Sequence, residues 1–241
     1  MAAADRHPAR ARARAYQLGA LLVSLALGTA VVVAILTSGS TSELRPGKPV
    51  PGAPQTLALL ARIPQQGISL GDIRAPLTLI EYGDLQCPAC AQFATDALPA
   101  IVRRYVRSGR VRLIFRALDL IGSDSRRAAA MALGLAQQDR LWEFVELAYR
   151  NQGLENTGYV TDTYLRALAS AIPGVDVAGA LAARGSPATL QALAEARALA
   201  RSANVQATPM FSLSRTAGTG PPLPAGLIDA QALPGALARA Q

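Results

Sequence analysis

The chain has 241 residues, 51% of them hydrophobic and 17% charged, which excludes a disordered or collagen-like polymer and leaves ample apolar material for a packed core. Its formal charge of +8 is no nucleic-acid signature: four arginines and Asp5 put +3 in the first fourteen residues, and no aromatic-basic face or base-reading motif accompanies the rest. With two cysteines, Cys87 and Cys90, and one histidine, His7, neither a disulfide-stapled miniprotein nor a four-ligand zinc site can be built by one chain, and no metal is expected.

Residues 1–15 form a basic tail. From Ala15 to Ser42 no residue is charged, and Tyr16–Thr37 would span about 33 Å as a helix, enough to cross a hydrocarbon core of about 30 Å. The arginines before this segment and Glu43 after it orient it with the tail in the cytoplasm and everything beyond Ser42 outside. A single-pass anchor at the cell membrane is the reading preferred. A cleaved signal peptide is the alternative, disfavoured because the apolar run is long and ends without a small-residue cleavage site. Both deliver the remaining chain to an extracytoplasmic space where disulfides persist.

Residues 38–56 hold Pro46, Pro49, Pro51 and Pro54 among Ser and Gly, and are expected to be an extended tether. One domain is expected over 57–241. Leu57–Ile63 with Gln65-Gln66-Gly67 reads as a short strand and turn, and Leu77–Tyr82 (LTLIEY) as a buried strand. The string GDLQCPAC follows directly, then a helix over Phe93–Val106 kinked at Pro99, then a second buried strand at Val111–Arg116. Strand, helix and strand make an α/β unit with a right-handed crossover. Residues 123–204 are helical in character, broken at Pro173-Gly174 and Gly185-Ser186-Pro187, and form an all-helical insertion. After Thr208-Pro209, Met210–Ser214 and Leu223–Ile228 are expected to pair, and Asp229 to cap a last helix over 230–239.

The cysteines carry the chemistry. A disulfide between residues i and i+3 closes a loop so short that chain entropy yields roughly 2 kcal/mol before strain is subtracted, so the pair is a poor structural staple. Two buried reduced thiols acting as small hydrophobes are the other bland alternative, and an exported protein with vicinal cysteines is expected to oxidise. A redox pair remains. Following a strand and opening a helix, Cys87 would sit where unpaired N–H groups and the helix dipole favour a thiolate nucleophile. Pro88 suits the first helical turn, and Cys90 lies one turn further in, placed to resolve a mixed disulfide. A fall of the Cys87 pKa from about 8.5 to about 6 would be worth roughly 3.4 kcal/mol, on the order of 70 mV toward an oxidant.

The strings EYGDLQCPACAQF, VRLIFR, SRRAAAMALGLAQQDRLWEFVELAYRNQG and NVQATPMF resemble the DsbA-like thiol:disulfide oxidoreductases, in particular their membrane-anchored bacterial branch, over about residues 59–240. The resemblance implies a thioredoxin-like α/β fold with a helical insertion, and a redox-active Cys87–Cys90 disulfide in place of any cofactor. It implies a cis peptide bond at Thr208-Pro209, whose backbone would hold an extended substrate segment against Cys87. It also implies a buried acid beneath Cys90, matched by Glu81, which would relay protons; a solvent-facing or ion-paired Glu81 is the competing reading, and Asp84 is a weaker candidate for the relay. Substrates would be exported proteins with cysteine pairs, and re-oxidation would need a quinone-linked membrane partner. The dipeptide Pro88-Ala89 departs from the strongest oxidants of that family, which carry histidine at the second position. A reductase or isomerase using the same site, and a redox-inactive thioredoxin-like binding module, remain as alternatives. Trp142 is expected to be core, and Arg103, Arg104, Arg107, Arg110 and Arg112 a solvated face rather than a partner-binding patch.

Overall fold

The branched residues of LTLIEYGD make the central strand of a mixed sheet. In the computed structural model, described over residues 44–216, 223 and 226–240, the strands are β1 (Gln65–Gln66), β2 (Ser69–Leu70), β3 (Leu77–Asp84), β4 (Val111–Leu118), β5 (Met210–Arg215) and β6 (Ile228–Asp229). Their order across the sheet is β1-β2-β4-β3-β5-β6. β3 pairs in parallel with β4, from Leu77 opposite Val111 to Asp84 opposite Leu118. On its other side it pairs antiparallel with β5, which sets Glu81 opposite Phe211. A strand flanked on both edges and covered on both faces must be apolar nearly throughout, and seven of the eight residues of β3 are buried. Met210 and Phe211 pair with Asp229 and Ile228, so the closing strand pair forms, but its second strand is Ile228–Asp229 rather than Leu223–Ile228.

The helices are α1 (Ala53–Leu60), α2 (Pro88–Asp96), α3 (Leu98–Ile101), α4 (Ser123–Ala136), α5 (Leu141–Arg150), α6 (Asp162–Ser170), α7 (Val177–Ala183), α8 (Pro187–Ser202) and α9 (Leu233–Arg239). Thr161, Asp176 and Ser186 start α6, α7 and α8 by accepting a hydrogen bond from the backbone N–H three residues on. One face of β3, with Ile80 and Tyr82, packs on Ala196 and Ala200 of α8. On the opposite face, the edge of Phe115 meets Trp142 and Tyr149 of α5, and Phe93 of α2 packs on Phe211 at 4.6 Å. Within the insertion, α5 thus closes over the same face as the helix that Cys87 opens, and α8 covers the other.

Four other expectations need correction. The tether does not stay extended to residue 56, and Leu57–Leu60 is helix, not strand: α1 begins at Ala53, with Val50 and Thr56 buried. Gly52, at φ +77°, turns the chain into α1, and a Cβ there would fall 2.6 Å from Arg150 Cδ. The helix after the cysteines is interrupted at Ala97 rather than simply kinked at Pro99. Pro99 sits in the first turn of α3, where its missing N–H is harmless, and a π-helical turn over Val102–Val106 follows. Asp229 accepts from the N–H groups of Gln231 and Ala232, capping the turn before α9 rather than α9 itself, which starts at Leu233. Of the arginine group, Arg103, Arg104, Arg107 and Arg110 are exposed as expected, and Arg107 also donates to the Leu59 and Ala61 carbonyls and so ties off the end of α1.

The expected basic tail, membrane helix 16–37 and start of the tether lie outside the described residues. Among the described residues, no helix is long and apolar enough to cross a membrane.

Candidate active site

β3 ends at Asp84, and the turn 85–87 delivers the chain to α2. Cys87 is the N-cap of α2 with extended backbone, and Pro88 occupies its first turn. Pro88 and Ala89 are exposed, Cys87 is 8% exposed and Cys90 is wholly buried; both cysteines are reduced. The Thr208-Pro209 peptide bond is cis, and it brings the Thr208 carbonyl to 3.2 Å from Cys87 Sγ, whose thiol donates to it. Thr208 is half-buried and Pro209 buried. Cys87, Cys90 and the cis-proline loop, 118 residues or more apart in sequence, therefore meet at one end of the sheet.

The two sulfurs are electrostatically unlike. The Cys90 thiol donates toward Cys87, and the Thr208 side chain and the N–H groups of Cys90 and Ala89 add to it; against desolvation, they bring Cys87 down to about 6. Cys90 is pushed far above the thiol range, by burial first and then by Cys87 and Glu81. One sulfur is a thiolate at neutral pH and the other is a thiol: a nucleophile beside a proton-holding partner.

Glu81 lies on β3 in the interior, 4% exposed, so the solvent-facing alternative is not what the fold produces. Burial, and then the neighbouring Glu146, raise its carboxyl to about 8. Asp84 is fully buried but occupied otherwise: one oxygen accepts from Gln86 N–H, the other from Leu120 and Ile121 N–H. It joins the cysteine turn to the loop after β4. Asp84→Asn keeps one acceptor and turns an NH2 group against backbone donors. The expected cost is about 2 kcal/mol in a urea melt, with the pH dependence of exchange unchanged. A shifted pH profile would return Asp84 to the proton relay.

Several residues that grip the site carried no sequence signal strong enough to single out. Gln86, fully buried, donates to Ser125 Oγ and accepts from Asn156 N–H. Gln152 donates to the carbonyls of Leu85 and Cys87. The helical insertion thereby clamps the cysteine turn from above through two side-chain amides. Gln86 stands within the DLQCPAC string and Gln152 just past α5, but amides in such places read as surface. No group of three or more His, Cys, Asp or Glu among the described residues is arranged to hold a metal ion.

The thioredoxin family model matches residues 64–223, which include the cysteine turn, the whole insertion and the cis-proline loop. The chain is similar to the probable disulfide bond formation protein D of Bacillus cereus, 35% identical over 112 residues, 45% of this chain and 52% of that protein. It is 32% identical to disulfide bond formation protein D of Bacillus subtilis over 102 residues, 42% of this chain and 46% of that one. The aligned parts span about half the length of these relatives. Among solved structures it resembles oxidised BdbD from Bacillus subtilis, with TM-score 0.57 and 24% identity over 65% of this chain and 89% of that one. It also resembles alpha-DsbA1 from Wolbachia pipientis, with TM-score 0.54 and 21% identity over 67% and 81%. The paired cysteines at a helix start, the cis-proline loop beside them and the matched span agree: the chain belongs to the thioredoxin family, with the DsbA-like fold in which a helical insertion closes over the cysteine turn.

Proposed function

We propose that the protein is an extracytoplasmic thiol:disulfide oxidoreductase that works as an oxidase, passing a Cys87–Cys90 disulfide to cysteine pairs in exported proteins. A substrate thiolate attacks Cys87 Sγ; the Cys87–Cys90 bond breaks, Cys90 leaves and takes a proton, and a mixed disulfide joins the substrate to Cys87. The substrate's second thiolate then attacks its own bridged sulfur and releases Cys87 as a thiolate. The observation that carries this reading is the opposed character of the two sulfurs: Cys87 lowered to about 6 is a good leaving group, and a disulfide that forfeits a stabilised thiolate is a strong oxidant. Thr208 and Pro209 offer backbone to an extended substrate segment, an added-strand mode of recognition. Exposed Leu120 and Leu154, on the two loops that hold the cysteine turn, suit apolar stretches of an unfolded chain. Residues 16–37 anchor the domain in the bilayer, and a quinone-linked membrane protein re-oxidises it.

The deciding measurement is the equilibrium potential of the protein in a glutathione buffer. A value more oxidising than about −200 mV is expected; one near about −270 mV, in the range of a thioredoxin-type reductant, would assign the site to reduction instead.

A further inference from the structure

Beneath Cys90 the interior holds more carboxyl than it can charge. Glu146 lies on α5 with no exposed surface, and neither of its oxygens has a hydrogen-bond partner; Glu81 Oε1 is likewise buried and unpartnered. Arg150, one turn on, approaches Glu146 at 3.7 Å and supplies one positive charge for two carboxyls. α5 faces this side of β3, since the Tyr149 hydroxyl lies where a Cβ on Gly83 would be, 2.7 Å away, and Glu146 and Tyr149 are three residues apart on one side of the helix. Gly83 and Glu81, two residues apart on β3, share one face. The N-terminal segment seals the cluster: Gly52 lies on the Arg150 stem, Asn151 donates to the Pro51 carbonyl, and Thr56 is buried.

Two unpaired carboxylates in an apolar interior cannot both ionise against one guanidinium, because each uncompensated charge there costs several kcal/mol. We propose that Glu81 and Glu146 form a buried pair that retains one proton between them, and that Glu146, as a positioning residue, makes Glu81 the proton donor to Cys90. This rests on the exchange chemistry above and deepens it. In the first step the substrate thiolate and the Cys87–Cys90 disulfide become a mixed disulfide at Cys87 and a Cys90 thiolate. That thiolate takes the Glu81 proton, leaving Cys90–SH and a Glu81 carboxylate. Burial raises the Glu146 carboxyl to about 8 as well, while Arg150 draws it back toward its ionised form; once Glu146 carries charge, that charge holds the remaining proton on Glu81. The other ionisable groups around the pair are Cys87 and Cys90 on α2, Asp84 on β3, and Glu143 and Tyr149 on α5. Glu143 accepts from Gln65, and Asp84 is committed to backbone. α1 brings no ionisable side chain, and α6 directs Asp162 to Arg184 and the Tyr164 hydroxyl to backbone carbonyls.

The test uses the full-length chain with 13C-labelled glutamate carboxyls and single-turnover reduction of its disulfide by a dithiol, both followed against pH. In the unaltered protein one buried carboxyl is expected to titrate near pH 8, and the reduction rate, corrected for dithiol ionisation, to inflect with it. Glu146→Gln removes the neighbouring charge and is expected to move both midpoints down by about one pH unit or more. Arg150→Gln withdraws the cation that favours ionised Glu146 and is expected to move the Glu146 titration up and, with its charge gone from beside Glu81, the rate midpoint down, so this second variant decides the matter if the first fails to fold. Unmoved midpoints in a folded variant would overturn the pair. The Cys87 thiolate titration near 6 is read in the same samples: its persistence separates failure of the pair from failure of the exchange chemistry.

Discussion

Loss of the Cys87 sulfur is expected to abolish exchange, whereas Cys90→Ala is expected to convert the protein into a trap that accumulates disulfide-linked substrates through Cys87. The asymmetry follows from the site. Cys87 caps α2, and its sulfur is reached by the Thr208 side chain, by Cys90 and by two backbone N–H groups, so its thiolate persists at neutral pH. At pH 7 a thiol of pKa about 6 is about 90% ionised, against roughly 3% for an ordinary thiol at about 8.5, a gain of about 30-fold in nucleophile before intrinsic reactivity is considered. Cys90 lies wholly buried and cannot be reached by a protein substrate. In Cys90→Ala the resolving sulfur is gone and the mixed disulfide has no intramolecular exit. Alkylation of Cys87 is expected to follow a midpoint near pH 6 in the unaltered reduced protein and a higher one, still below about 8.5, in Cys90→Ala, which loses the hydrogen bond that lowers it most; non-reducing gels of cells producing the variant are expected to show adducts that a reductant dissolves. A midpoint near pH 8.5 and an absence of adducts would leave the binding-module reading in place.

The same lowered pKa ties fold stability to redox state. The folded value of about 6 lies below the unfolded value of about 8.5, so the thiolate stabilises the reduced fold fully above about pH 8.5. That contribution declines as pH falls and is lost once pH drops through about 6. The oxidised protein has no thiolate and gains nothing from it. Its ceiling is about 3 kcal/mol, and solvent at the site entrance screens part of that. Ala89 adds no positive charge there; the lowering comes from hydrogen bonds and the helix start instead, so histidine in the dipeptide is not required for an acidic Cys87.

How far the residues foretold the fold depends on whether local or tertiary forces decided each element. β3 was legible because a central strand must be apolar along nearly its whole length, as LTLIEY is, and β4 because VRLIFR alternates buried apolar positions with half-buried ones. The breaks at Pro173-Gly174 and around Ser186-Pro187 were legible because caps and prolines act locally. α1 was not: Leu57–Ile63 is a short apolar run of either period, and its helix is selected by docking on α5 and by Arg107 closing its end. In α5 every residue from Leu141 to Tyr149 is buried, because helices pack around it as well as the sheet. Glu143, Glu146 and Arg150 recur at helical spacing as a solvent face would, yet Glu146 is wholly buried. At the site, Cys87, Cys90, Thr208 and Pro209 stood in recognisable strings, while Gln86, Gln152 and Asp84 act through contacts that no spacing encodes.

The buried side of α5 also sets the largest stability effect expected of a single substitution. Trp142 has no exposed surface, meets Phe115 edge-on with centroids 6.0 Å apart, and donates its Nε1–H to the Ile68 carbonyl at 3.1 Å. That carbonyl also accepts from Phe115 N–H, so removing the indole does not leave it unpaired. The cost of Trp142→Ala is therefore mostly cavity: about 3–5 kcal/mol, a large part of the roughly 5–15 kcal/mol that holds a typical domain. Trp142→Phe keeps most of the ring volume and loses chiefly one hydrogen bond, about 1–2 kcal/mol. In urea melts of the reduced protein the midpoints are expected to order as unaltered, phenylalanine, alanine, with the alanine variant melting on the order of 10 °C lower on heating. Phe115 rests on the indole and Tyr149 on Phe115, and the two wall the interior below Gly83, so the alanine variant is also expected to admit solvent toward Cys90 and Glu81. The desolvation that raises both groups would weaken, and their titrations would move back toward ordinary values. A loss below about 1.5 kcal/mol in Trp142→Ala would mean that α5 can close the cavity, and that the wall beneath the cysteines is softer than its burial implies.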